Sequence, residues 1–263
     1  MTEKLQKVLA RLGIGSRRQI EIWIQQGRIQ VNQQLATLGE RVTETDIIRV
    51  DGKQLRQIST PKRQILCYHK PLGQICTRHD PEQRPSIFEH LPSPKQGKWI
   101  TVGRLDINTG GLLILTTDGE LAHRLMHPSY CLEREYAVRI LGQVTEQAIS
   151  NLLQGVFLED GPAHFKSIIK IGGQGANSWY HVTLTEGKKR EVRRLWESQN
   201  LIVSRLMRIR FGPFILPKGL KAGHHVYLSE AEEHTLLAAV GLAAPVSIPE
   251  NKRPHRPMKR QRY

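Results

Sequence analysis

Cysteine is scarce in this 263-residue chain: Cys67, Cys76 and Cys131 form no CxxC pair and no even framework. That excludes a disulfide-stapled scaffold and a cysteine-based zinc site, and it fits a reducing compartment, so a cytoplasmic location is expected. Long apolar runs are also missing. The most apolar stretch, Leu236 to Val246, is about half of the ~20 residues a membrane helix requires, and no membrane association is expected. Aromatics make up only 6%, and the 22 glycines and 14 prolines are scattered, which excludes collagen-like and fibrous classes. Acidic residues are the other deficit. Against 39 Lys and Arg stand 24 Asp and Glu, a net charge of +15, so the partner to expect is a polyanion.

Four regions are legible. Residues 1–58 read as a small α/β unit with 10 basic and 6 acidic residues. A helix is expected over Glu3 to Leu12, a Gly-Ile-Gly break at Gly13 to Gly15, and a second helix from Ser16, whose spacing to Gln19 matches a capping box. Ile20, Trp23 and Ile24 form that helix's apolar face, and strand-like runs follow at Arg28 to Asn32 and Asp46 to Lys53. Residues 59–64, polar and broken by Pro61, suit a linker. Residues 65–242 interleave strands and helices irregularly, with no regular βαβ period, which predicts an α+β domain with a mixed, largely antiparallel sheet. Residues 243–263 end in six cations and read as a disordered basic tail.

Two segments stand out chemically. In GRLDINTGGLLILTTDG, starting at Gly103, a carboxylate occupies a glycine-flanked turn just before an apolar strand, where a rigid element displays a loop residue. By local physics alone the commoner reading of Asp106 is an Asx-turn residue, since turn aspartates outnumber catalytic ones. From Lys188 to Arg210 there are eight basic residues and two acidic ones, which reads as a phosphate-binding stripe. In its helical part Val192, Leu195 and Trp196 face inward, while Arg190, Arg193 and Arg194 crowd the N-terminal end. The helix dipole disfavours cations there, so a compensating carboxylate or phosphate is expected. His123 and His127 stand four apart, but Arg124 replaces the glutamate of a metalloprotease helix, and no metal site is expected. Gly172 to Gly175 suits a hairpin loop, and Lys70-Pro71-Leu72-Gly73 a turn.

The segment GRLDINTGGLLILTTDGELAHRLMHPS, the run EREYAV from Glu133 and LTEGKKREVRRLWE from Leu184 resemble, in order and spacing, successive motifs of bacterial ribosomal RNA pseudouridine synthases. EKLQKVLARLGIGSRRQIE, continuing to RIQVN, is similar to the S-four type RNA-binding domain that precedes the catalytic domain in one branch, and the nearest resemblance is to large-subunit enzymes. The resemblance spans residues 3 to about 240. It implies isomerisation of a specific uridine in 23S ribosomal RNA, with no cofactor or metal, by a monomer that flips the base out of its stack. Asp106 would be the catalytic residue. Tyr136 would stack on the uracil, Leu184 would line the base pocket, Arg104 would stand near the flipped nucleotide, and Arg193 would pair with Asp106. Arg11, Arg17, Arg18 and Arg28 in the first domain, and Lys188, Lys189, Arg190 and Arg194 in the second, are expected to contact RNA phosphates. Two other readings share these residues: a non-catalytic ribosome assembly or RNA-binding factor, and an N-glycosidase that releases uracil.

Overall fold

A computed structural model describes residues 2–55, 62–174 and 177–243. The first domain runs β1 (Glu3–Lys4), α1 (Leu5–Arg11), α2 (Arg17–Gln25), β2 (Ile29–Val31), β3 (Gln34–Leu35), β4 (Arg41–Val42), β5 (Ile48–Val50) and β6 (Lys53–Gln54). The first helix starts two residues later than its apolar spacing suggests, because Glu3 and Lys4 pair with β4 instead. Leu5 and Leu9, one turn apart, meet Ile20 and Ile24 of α2 in a core closed by Ile29, Val31 and Val42. Ser16 caps α2 by accepting the Gln19 amide at 3.2 Å. The four strands β3-β2-β5-β6 form an antiparallel sheet whose inward residues alternate at period two.

The second domain follows as β7 (Ile65–Lys70), β8 (Ile100–Thr101), β9 (Gly110–Thr116), α3 (Gly119–Met126), β10 (Arg134–Leu141), α4 (Glu146–Gln154), β11 (Val156–Leu158), β12 (Gly161–Ala163), β13 (Ser167–Gln174), β14 (Asn177–Leu184), α5 (Glu191–Glu197), β15 (Ile202–Phe211), β16 (Phe214–Ile215), β17 (His225–Tyr227) and α6 (Glu230–Ala238). Nine strands make one sheet in the order β13-β14-β10-β15-β9-β7-β17, with β16 beside β15 and β8 beside β9. Every pairing in it is antiparallel except β9 with β15. The expected α+β class with a largely antiparallel sheet is what the chain adopts.

Its central strands explain the unbroken apolar run of residues 112–115. Leu113 and Leu115 point into a core shared with Trp196 and Leu195 of α5 and Leu152 of α4. Leu112 and Ile114 point to the opposite face, against Leu121 and Leu125 of α3 and Leu236 and Leu237 of α6. A strand covered on both faces has no polar side, and each such side chain contributes roughly 1.5–3 kcal/mol on burial.

The parallel contact depends on Gly111. A Cβ there would lie 2.2 Å from the Arg208 carbonyl oxygen and 2.7 Å from its amide nitrogen, and the residue's φ of +99° disfavours side chains. This absence of a side chain lets β15 close against the start of β9, directly behind the Asp106 loop.

Of the expected linker, residues 59–61 lie outside the described residues, while 62–64 already belong to the second domain. Arg63 binds Asp118 at 2.7 Å and Glu233 at 3.3 Å, and the Gln64 amide donates to Thr117 Oγ1. The two domains touch. Lys7 Nζ is 3.2 Å from Glu120, and Gly13 and Gly97 pack so closely that a Cβ on Gly13 would sit 3.1 Å from the Gly97 Cα. Of the expected Gly172–Gly175 loop, residues 172–174 extend β13 and Gly175 lies outside the described residues, as does the tail from residue 244.

Candidate active site

Asp106 lies in the loop between β8 and β9. Leu105 is buried in the core below it, so its neighbours Arg104 and Asp106 turn outward and are exposed. The Thr109 amide closes the turn on the Asp106 carbonyl at 3.0 Å. Beneath it, the fully buried Lys70 donates from Nζ to the carbonyls of Pro71 (3.0 Å), Asp106 (3.1 Å) and Thr109 (2.9 Å). Burial lowers the pKa of this amine, while the negative charge of Asp106 acts the other way. The Gly73 amide donates to Ile107 O at 2.9 Å, and Cys76 Sγ reaches Leu105 O at 3.5 Å. The loop is therefore held through its backbone, and the Asp106 carboxylate makes no hydrogen bond or ion pair among the described residues. Lys70-Pro71, expected only as a turn, supplies the central pin.

The carboxylate stands at a cleft of about 810 Å³, lined among others by Arg104, Tyr136, Leu184, Leu206 and Phe211. That volume lies in the ~300–1,000 Å³ range of pockets for small ligands. Tyr136 on β10 and Leu184 at the end of β14 are buried side by side because β10 and β14 pair with Arg134 opposite Leu184. Antiparallel pairing thus unites two motifs almost fifty residues apart.

Arg193 departs from expectation. Its guanidinium donates to Asn108 O and Val203 O, both at 2.8 Å, and no ion pair joins it to Asp106 within 4.0 Å. Short α5 aims it along the loop backbone, two residues beyond the carboxylate. Burial lowers its pKa, as does neighbouring Arg190, while Asp106 attracts through space. Arg193 therefore braces the loop and adds positive potential to the cleft.

The basic stripe is more self-contained than its composition suggests. Arg194 forms a fork on Asp160 at 2.7 and 2.8 Å, although it stands in the last turn of α5 and not at the N-terminal end where the sequence places it. Lys188 binds Glu186 at 3.0 Å, whereas Lys189 and Arg190 line the cleft rim, Arg190 with only a 3.6 Å contact to Glu197. On β15, Arg210 binds Glu133 and Glu135 and Arg208 is buried, which leaves Arg205 as that strand's exposed arginine. Glu191, buried at the start of α5, accepts the Lys188 amide at 2.9 Å, and burial raises its pKa. In the first domain Arg28 is held by Asp51 at 2.6 Å and lies 4.7 Å over the Trp23 ring, while Arg11 binds Glu3 at 2.7 Å. Arg17 and Arg18 remain exposed with no ion pair among the described residues.

Among the described residues no group of three His, Cys, Asp or Glu side chains could hold a metal ion, and no helix is long and apolar enough to cross a membrane. A small α/β domain touches a mixed-sheet domain whose cleft presents an exposed carboxylate beside a buried tyrosine, and the comparisons with known proteins give this arrangement its class. Residues 3–48 match the S4 domain and residues 64–198 match RNA pseudouridylate synthase, and the chain belongs to the RNA pseudouridylate synthase family. It is 57% identical to "Ribosomal large subunit pseudouridine synthase B" of Pseudomonas aeruginosa, over 94% of this chain and 64% of that protein. It is 54% identical to the protein of the same name from Escherichia coli strain K12, over 92% of this chain and 84% of that one. A crystal structure of a pseudouridylate synthase superposes with a TM-score of 0.62 at 26% identity, covering 89% of this chain and 99% of the other.

Proposed function

We propose that this protein converts a specific uridine of 23S ribosomal RNA to pseudouridine, with Asp106 as the catalytic residue. The observation that carries this reading is the exposed Asp106 carboxylate, without a hydrogen-bond or ion-pair partner among the described residues, on a backbone-clamped loop facing a cleft of one-nucleotide size with Tyr136 in its wall. A carboxylate meant only to hold a turn would spend its oxygens on nearby amides. The cleft admits a base but not a duplex, so the uridine leaves its stack to enter. The C1′–N1 bond then breaks, with Asp106 attacking C1′ or facing its positive charge. The uracil turns within the cleft against Tyr136, C5 bonds to C1′, the C5 proton leaves, and N1 takes one up. RNA mass is unchanged, which separates this outcome from uracil release. The names of the relatives support the large ribosomal subunit as the source of the substrate.

The test is tritium release from an in vitro 23S transcript labelled with [5-³H]uridine, followed by nucleoside analysis. Release with pseudouridine as product supports the reading. Free uracil, or no reaction with RNA still bound, would replace it with the glycosidase or the non-catalytic factor respectively.

A further inference from the structure

Arg208 is 2% exposed on β15, and the only hydrogen bond of its side chain among the described residues runs from Nε to the Leu112 carbonyl at 2.8 Å. Neither terminal nitrogen donates to an acceptor among the described residues, and Nη2 is fully buried without a partner. No carboxylate of the described residues approaches within ion-pair distance. The guanidinium carbon lies 5.1 Å over the Phe211 ring, and that of Arg134, also largely buried, lies 5.2 Å over the same ring. Beside it, Thr109 is 2% exposed, and its Oγ1 is likewise buried with no partner. Both residues line the cleft that holds Asp106, Tyr136 and Leu184. They are brought together where β15 closes on β9, with Arg208 opposite Gly111.

Buried donors are almost always matched, and a buried guanidinium without a counter-charge is costly, so this floor is built at the expense of stability. Preorganised donors in a dry cleft act most strongly where negative charge develops during reaction. When the C1′–N1 bond breaks, its electron pair leaves with the uracil and spreads onto O2 and O4. We infer that the Arg208 guanidinium, assisted by the Thr109 hydroxyl, binds a carbonyl oxygen of the flipped pyrimidine and stabilises the uracil while it is detached. The charge returns to the sugar bond through C5, so the arginine keeps its own protons throughout. This rests on the pseudouridine reading above and deepens it by assigning a base-binding floor.

Two measurements on the full chain test it. The first is turnover of the labelled 23S transcript by Arg208→Gln, Arg208→Lys and Thr109→Val, each checked by thermal melting. Thr109→Val removes a hydroxyl with no protein partner, so a merely structural role predicts equal or greater stability and unchanged activity. The assigned role predicts an unchanged melt with kcat at least tenfold lower. Arg208→Gln should lose at least a hundredfold in kcat with KM changed less than threefold, and Arg208→Lys should recover at least tenfold of that. The second measurement, calorimetric titration with uridine 5′-monophosphate, does not depend on turnover and should show at least fivefold weaker binding by Thr109→Val. A wild type that binds the nucleotide with this dependence but does not isomerise RNA would sink the activity and leave the floor standing. Isomerisation by the wild type with kcat/KM and nucleotide affinity of Thr109→Val both within threefold of it would overturn the floor, whether or not Arg208→Gln folds.

Discussion

The Asp106 loop is controlled by groups that hold its carbonyls and leave its carboxylate free. Asp106→Asn should therefore abolish tritium release while RNA affinity stays within threefold, because the carboxylate offers nothing attractive to phosphate. Filter binding and release assays on one preparation check both halves. Lys70→Met should act differently. It removes the donor from the Pro71 and Thr109 carbonyls at about 1–3 kcal/mol each and one of two donors from the Asp106 carbonyl, so the melting temperature should fall by at least ~5 °C and turnover should fall with it. Glu191 predicts a pH dependence. Its folded pKa is raised above 4.5 by burial, so the folded state binds the proton more tightly and this carboxyl's contribution to stability declines as pH rises through that window. Glu191→Gln should then melt higher than wild type at pH 7, and the difference should vanish near pH 4, where both side chains are neutral.

At the level of elements, the decisive junction is β9 against β15. Gly111→Ala places a methyl group inside the Arg208 backbone and strains a left-handed residue, so it should cost several times the ~1 kcal/mol of an ordinary substitution. Loss of soluble protein, or a midpoint in urea far below wild type, is the expected result. The Lys188–Arg210 run shows why charge density misleads within elements. Strand alternation sends Arg208 inward, and Asp160, Glu133 and Glu135, distant in sequence, occupy Arg194 and Arg210. That leaves Lys189 and Arg190 at the cleft rim and the exposed Arg205 on β15 as the cations of the run expected to meet phosphate.

For the whole molecule, the proposed function makes two basic surfaces on domains in contact linked modules, and RNA affinity is expected to reflect both. Arg17→Gln with Arg18→Gln should weaken binding across RNA sequences and flatten the salt dependence by roughly 0.7 logarithmic units per lost single-strand contact. Arg11→Gln with Arg28→Gln should change the slope less, since Glu3 and Asp51 already neutralise those side chains. Filter-binding titrations at several salt concentrations compare the two pairs, and equal slopes would refute the distinction.

Much of this was present in local sequence. Apolar periodicity and the Ser16 cap locate the start of α2 at Arg17, because that helix is shaped by its own side chains. Asp106, Tyr136 and Leu184 are legible through motifs in a fixed order, and the structure gathers all three at one cleft. Tertiary pairing alone decided the rest. Lys70 looks like part of a turn until a loop thirty-six residues on presents its carbonyls, and Arg208 looks like one more surface cation until a parallel strand contact seals it behind the active loop. The Arg193 partner likewise depends on where α5 lands, which brings it to Asn108 and Val203. Local propensity is set by neighbours along the chain, whereas the burial of a charge and the choice of its partner depend on which distant backbone arrives beside it.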